Sequence, residues 1–267
     1  MSGLMSGKRG LIMGLANERS LAWGIAQKLS EAGAELAFSY QSEALEKRVR
    51  PLAQSLGSDF LINCDVSDMA ALDAAFATLA GRWPTIDFVV HAIGFTDKEA
   101  LRGRYCDVGL DTFLMTMNIS VYSFTAVAQR AAAMMPPFDP ETGAGGGSMI
   151  TLSYLGAERV IPHYNVMGVA KAALEASVKY LAVDFGRDNI RVNGVAPAVV
   201  ETPVYNTFMT DQQVAETLPG FNAFHPLGRN GQAIDVAEAI LFLASDRASW
   251  ITGVILPVDG GVMAGRS

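Results

Sequence analysis

The chain has 267 residues, half of them hydrophobic and 18% charged, which supplies apolar side chains for a large buried core and excludes a disordered chain. Lys and Arg number 20 against 27 Asp and Glu, and the resulting net charge of −7 argues against a sequence-neutral grip on nucleic acid or an anionic membrane surface. The opening MSGLMSGKRG lacks an apolar core followed by a cleavage site, and no apolar run reaches the length of a membrane span, so a soluble, cytoplasmic protein is expected.

Arg9 to Met13 is a short apolar run ending at Gly14, and the helical pattern from Ser20 to Ala32 is stopped by Gly33. Glu35 to Ser39 reads as a strand, about Ser42 to Leu56 as a charged helix, and Asp59 to Asn63 as a third strand. A helix from about Met69 to Arg82 leads to Ile86 to Ala92, a run apolar enough to be buried on both faces. The second half repeats the rhythm: a long helix from about Val108 to Met135, the strand Ser148 to Ser153, a helix from about Tyr164 to Phe185 and the strand Ile190 to Ala196. Asp235 to Leu243 reads as a further helix and Gly253 to Val258 as the closing strand.

Strands alternating with helices in this way imply a parallel sheet covered on both faces. The expected fold is a single-domain, doubly wound α/β Rossmann fold of seven strands over residues 1–267. Two segments interrupt the pattern. Pro136 to Gly147 (PPFDPETGAGGG) is a turn-rich surface loop. Ala198 to Arg229 is long, irregular and apolar in places, and a stretch of that length in a compact domain points to a functional loop. Cys64 and Cys106 form no CxxC pair, so two free thiols are favoured over a disulfide. The histidines His91, His163 and His225 are too scattered for a zinc site, and no metal is expected.

In a sheet of this kind ligands bind at the carboxyl ends of the strands. After the first strand comes Gly14-Leu-Ala-Asn-Glu-Arg-Ser20-Leu21, which departs from GxGxxG but has its physics. Gly14 permits a tight turn, Ala16 keeps the backbone approachable, and Ser20 offers a hydroxyl and an N-cap where a pyrophosphate would meet a helix dipole. The second strand ends at Gln41, which is neutral and can hydrogen-bond a ribose hydroxyl without neutralising a 2′-phosphate; NADH is therefore favoured over NADPH. Asp65 and Val66 follow the third strand, where the carboxylate could accept from an adenine amino group, and Ile93 and Gly94 follow the fourth, where glycine lets backbone approach a cofactor.

Beyond the strand Ser148 to Ser153 the chain reads SYLGAERVIPHYNVMGVAKAALEA, with Tyr154, Tyr164 and Lys171. Short-chain dehydrogenases/reductases usually carry Tyr-x3-Lys; here Tyr164 and Lys171 stand as Tyr-x6-Lys, with Tyr154 ten residues upstream. This pattern, with GLANERSLAWGIA, AGAELAFSYQ, CDV, HAIGF, SVYSF and ITGVILPVDGG, resembles the enoyl-acyl-carrier-protein reductases of that superfamily over nearly the whole chain. Seven residues are about two helical turns, so on one helix Tyr164 and Lys171 share a face, and the cation is expected to bias the phenol. The resemblance implies NADH-dependent reduction of a trans-2-enoyl thioester. In that reading Tyr164 stabilises the enolate oxygen, Lys171 holds the nicotinamide ribose, and Tyr154 shapes the acyl pocket or helps polarise the carbonyl. It further implies cofactor contacts from Val200 and Thr202, and a substrate pocket including Phe95, Tyr154, Tyr164, Tyr205 and Phe208. An acyl thioester on acyl carrier protein as partner, and a homotetramer, belong to the same implication. Arg102, Arg104 and Arg229 are candidate bases for an acidic carrier.

The segment after Asn193, VAPAVVETP and VYNTFMTDQQVAETLPGFNAF, departs from the family's usual lid, and Pro197 and Asn118 are features of ordinary short-chain carbonyl reductases. A carbonyl reductase or alcohol dehydrogenase is therefore the enzymatic alternative, and an NADH-binding regulator without turnover the non-enzymatic one.

Overall fold

The computed structural model describes residues 3–200, 212, 220 and 222–265. Seven strands form one parallel sheet: β1 (Arg9–Met13), β2 (Glu35–Tyr40), β3 (Leu61–Asn63), β4 (Phe88–His91), β5 (Gly147–Leu152), β6 (Ile190–Pro197) and β7 (Ile255–Val258), in the order β3-β2-β1-β4-β5-β6-β7. The chain winds outward from β1 to β3, then crosses back to lay β4 against the free side of β1. The strand order reverses between β1 and β4, which is where such sheets open a crevice for a ligand.

Register levels the strand ends there. Met13 pairs with His91 and His91 with Thr151, so the next residues, Gly14, Ala92 and Leu152, emerge side by side at the carboxyl edge. β4 is buried along its whole length, as its unbroken apolar run requires. One core layer packs Leu72, Leu79, Phe124, Leu174 and Val178 against Leu11, Val89 and Met149 of the sheet. The other packs Ile25, Leu29, Val236 and Ile240 against Ile12, Phe38, Phe88, Val90 and Ile150. The two layers belong to α3 (Met69–Arg82), α6 (Ser123–Ala132) and α7 (Asn165–Phe185) on one face, and to α1 (Leu21–Glu31) and α8 (Ala233–Ala244) on the other. The charged helix α2 (Glu43–Ser55) carries Ser42 as its N-cap, accepting from the Leu45 amide.

The expected single helix from Val108 to Met135 is not one helix. A short helix α4 (Lys98–Arg102) and a tight turn (Tyr105–Asp107) precede α5 (Leu110–Met117), which passes through a π-helical turn (Asn118–Tyr122) into α6. An i→i+5 turn admits an extra residue without breaking the apolar stripe, so hydrophobic periodicity alone cannot show it. Its effect is to turn the hydroxyls of Ser120 and Ser123 inward to the end of β4. Element ends also move by a residue or two: Gly147 belongs to β5 rather than to the preceding loop, and α7 starts at Asn165 with Tyr164 as its cap. Cys64 is buried, Cys106 is exposed, and both are free thiols.

Candidate active site

On the cofactor side of the crevice Gly14 has φ 95°, and a Cβ there would lie 2.2 Å from the Ala92 carbonyl oxygen, so the first turn presses directly on the end of β4. Ser20 occupies the N-cap position of α1, but its hydroxyl donates to the Asn17 carbonyl at 2.7 Å instead of capping the helix. The expected capping bond is thus replaced by a loop-closing one, and Ser20 does not engage the first-turn amides that an anion would seek. Ala16 and Leu21 flank this turn half-buried, Leu21 against the core.

Beyond β2, the Gln41 side-chain amide donates to Asp65 at 2.9 Å. Asp65 also accepts from the Ser67 amide at 2.9 Å and the Ser67 hydroxyl at 2.7 Å. Partial burial pulls the Asp65 carboxyl up, and the hydrogen bonds from Gln41 and Ser67 outweigh it, holding the group below the usual carboxylate range. Two residues read separately in the sequence are therefore one device, a carboxylate that orients Gln41. The side chains of Val66 and Val200 are buried in the two core layers, so their main chain is the part a cofactor would meet. Ile93 packs partly buried against the core, and Gly94 lies over Lys171, where a Cβ would stand 3.4 Å from Nζ. Thr202, Tyr205 and Phe208 lie outside the described residues.

The reactive side grows from the end of β5. The rings of Tyr154 and Tyr164 sit 4.7 Å apart, inclined at 57°. Gly156, between them in sequence, is a close-packing requirement that its place in the motif did not declare: a Cβ there would come within 2.4 Å of the Tyr164 ring and 3.3 Å of the Tyr154 ring. Burial raises both phenols above their ordinary range, Tyr164 further than Tyr154 and with Tyr154 as its second cause. Both are thus neutral hydroxyl donors at physiological pH. Lys171 is buried, with Nζ donating to the Leu152 carbonyl at 2.7 Å. Burial pulls its ammonium down to about 8 against an opposing pull from Glu175. The expected bias of Lys171 on the phenol gives way to burial and the neighbouring ring as the causes of the Tyr164 shift.

Several supporting groups went unread in the sequence. Ser153 donates to Glu175 at 2.5 Å, one turn along α7 from Lys171. His91 is fully buried between Thr151 at 3.2 Å and Ser123 at 2.9 Å. Burial, aided by the charge of Lys171, pushes His91 down to about 3, so it is a neutral strut beneath the site. Ser120 clasps the backbone of one residue, accepting from the Phe95 N–H and donating to the Phe95 carbonyl, each at 2.9 Å, and Phe95 is 53% exposed. Asn118 bridges across to the Ser67 carbonyl at 3.4 Å. Arg102 pairs with Glu99 and Arg229 with Asp235, so two of the three arginines proposed for a carrier share their charge with a carboxylate.

The tight Gly14 turn, the helix start behind it, the Gln41–Asp65 pair and the buried Lys171 suit a dinucleotide laid across the switch point, its adenosine end at β2 and β3 and its nicotinamide end at β4 and β5. A doubly wound sheet with this crevice and a tyrosine–lysine pair beside it defines a short-chain dehydrogenase/reductase. More narrowly, the family model described as enoyl-(acyl carrier protein) reductase matches residues 14–263, and the chain belongs to that family.

The chain is 53% identical over 260 residues to enoyl-[acyl-carrier-protein] reductase [NADH] 1 of Rhizobium meliloti (strain 1021), covering 97% of this chain and 92% of that one. It is 41% identical over 260 residues to enoyl-[acyl-carrier-protein] reductase [NADH] of Escherichia coli (strain K12), covering 97% and 95%. Among solved structures, the reductase of Anaplasma phagocytophilum in complex with NAD superposes with a TM-score of 0.89 at 48% identity, covering all of this chain and 96% of that one. The Bacillus cereus reductase with NADP+ and indole naphthyridinone superposes with a TM-score of 0.91 at 41% identity, covering 99% of this chain and 100% of that one.

Proposed function

We propose that this chain is an NADH-dependent enoyl-acyl-carrier-protein reductase of fatty-acid biosynthesis, saturating the trans-2 double bond of an enoyl thioester. The observation that carries the reading is the pair of neutral, half-buried phenols packed ring to ring, in the same stretch of chain as the buried Lys171, on a sheet whose carboxyl edge fits a dinucleotide. When bound, NADH supplies the hydride that the β-carbon accepts. Negative charge then gathers on the thioester oxygen, the Tyr164 hydroxyl stabilises it as a preorganised hydrogen-bond donor, and a proton from solvent taken up at the α-carbon completes the saturated thioester. Tyr154, packed at a tilt against that ring, shapes the acyl pocket and limits the directions the phenol can take. Lys171, held by the Leu152 carbonyl, offers its remaining hydrogens to the nicotinamide ribose. Gly14, Ala16, Ser20 and Leu21 border the pyrophosphate. Gln41, with Asp65 beside it, meets the adenosine ribose as a hydroxyl partner.

The whole chain is read as one dinucleotide-binding domain with residues 198–229 covering the substrate. Thr202 serves the cofactor, and Tyr205 and Phe208 join Phe95 in lining the acyl pocket. The acyl group arrives on acyl carrier protein. Exposed apolar side chains on α5 and its π-turn (Leu110, Leu114, Tyr122) and on α7 (Val169, Tyr180, Val183) support assembly as a homotetramer. Among the described residues no helix is long and apolar enough to cross a membrane. A cytoplasmic location belongs to the same proposal.

The test is NADH oxidation at 340 nm with a trans-2-enoyl thioester beside a 3-ketoacyl thioester. Turnover with the enoyl substrate alone is the expected result. Turnover with the keto substrate alone would make the chain a carbonyl reductase.

A further inference from the structure

Tyr164 is bracketed by two residues in the left-handed region, His163 at φ 60° and Asn165 at φ 31°. Neither is glycine; Asn and His tolerate this region better than most residues, and contacts with the rest of the chain can hold them there. For Asn165 those contacts are visible. Its side-chain nitrogen lies 3.0 Å from the Ala100 carbonyl, 3.3 Å from that of Leu101 and 2.6 Å from that of Gly103. Carbonyls only accept, so the amide nitrogen, not the oxygen, must face them. The end of α4 leaves its last carbonyls without helical partners, and Asn165 caps them from 62 to 65 residues away in the chain.

The segment so held is itself anchored at its other end. It leaves β4 through Phe95, clasped by Ser120, and Thr96, whose hydroxyl meets that of Thr116 at 2.6 Å. From Phe95 to Gly103 the chain therefore spans a fixed distance between the π-turn and the residue next to Tyr164. Both ends of the segment are thus tied to elements that frame the site.

We propose that Asn165 is a positioning residue for the reaction: by holding the end of α4 it fixes the backbone next to Tyr164 and with it the direction of the phenol. The proposal rests on the reading of Tyr164 given above. It places Asn165 outside contact with substrate and cofactor, so its loss should act on turnover through Tyr164 and leave NADH binding alone.

Asn165→Gly keeps the left-handed backbone accessible and removes both donors; Asn165→Asp keeps the shape and removes the donors. In the full-length protein saturated with NADH, each is expected to lower kcat for a trans-2-enoyl thioester about tenfold, with KM and the NADH Kd within about twofold of the parent. In a Tyr164→Phe background, followed by single turnover, the same substitution is expected to have an effect of less than about twofold. A folded Asn165→Gly protein with parental kcat overturns the proposal, as does an equal loss in both backgrounds. If the aspartate variant does not fold, the glycine variant decides. Parental turnover by Tyr164→Phe alone would instead overturn the reading of Tyr164, an outcome separate from any effect of Asn165.

Discussion

At the cofactor end of the crevice each contributing turn follows its own strand, and what brings the turns together is the parallel sheet itself: Gly14 after β1, Gln41 after β2, Asp65 after β3, Gly94 after β4. The catalytic cradle is assembled differently. Tyr154, Gly156, Tyr164 and Lys171 lie within one stretch of chain, yet their placement depends on a distant helix end held by Asn165, a peptide held by Ser120 and a ring contact that tolerates no Cβ at Gly156. The first region follows from topology and is robust to side-chain change except where backbone touches backbone. The second follows from packing, and single side chains can move it.

If that contrast is right, the two regions should fail in different ways. Gly14→Ala sets a methyl 2.2 Å from the Ala92 carbonyl oxygen at φ 95°, so it should cost about 2–4 kcal/mol of stability. Chemical denaturation would measure this, and a change below about 0.5 kcal/mol would show that the turn has slack. Gly156→Ala should displace the Tyr164 ring and lower kcat about tenfold, or about 1.4 kcal/mol, while NADH affinity stays at the parental value. Weakened NADH binding in that variant would erase the separation between the regions.

Lys171 belongs to both regions, and its charge gives a pH test. The ammonium titrates near 8 in the folded chain, so it is charged below that pH and increasingly neutral above it. NADH affinity should therefore weaken as pH rises through 8, and Lys171→Met should bind weakly with no such step. Unfolding does not explain the step. Between pH 8 and the ordinary lysine value of 10.5 the unfolded chain holds a proton that the folded chain has released, so this group makes the fold more stable as pH rises there. The smallest effect is expected at the adenosine end. Asp65→Asn removes a negative charge close to where a 2′-phosphate would sit, and should raise the NADPH-to-NADH ratio of kcat/KM about fivefold, about 1 kcal/mol at a solvated separation of a few ångströms. An unchanged ratio would assign cofactor choice to Gln41 alone.

How much of this was legible in the sequence follows the same division. The alternation of strands and helices, the parallel sheet it implies and the turns at Gly14, Gln41, Asp65 and Gly94 could be read because period, glycine placement and strand-end chemistry are local signals. Tyr164 and Lys171 could be read as a pair from the motif they share, but the expected common helix face does not hold: α7 begins at the left-handed Asn165, and Tyr164 caps it from outside. The π-turn could not, since it leaves the apolar stripe intact and shows only in which serines point inward. Nor could the role of Ser20 as a loop closer, the coupling of Gln41 to Asp65, or the ring contact at Gly156, each of which is set by a partner that the sequence does not mark. Arg102 and Arg229 read as bases for a carrier, but their neighbours Glu99 and Asp235 lie within a few residues on the same surface and pair with them.

The most direct test of the division between binding and chemistry is Tyr164→Phe, assayed for NADH affinity by fluorescence and for turnover of a trans-2-enoyl thioester at 340 nm. The account predicts a roughly 10²-fold loss of turnover with NADH affinity unchanged. Parental turnover, or a loss of NADH affinity that matches the loss of rate, would contradict it.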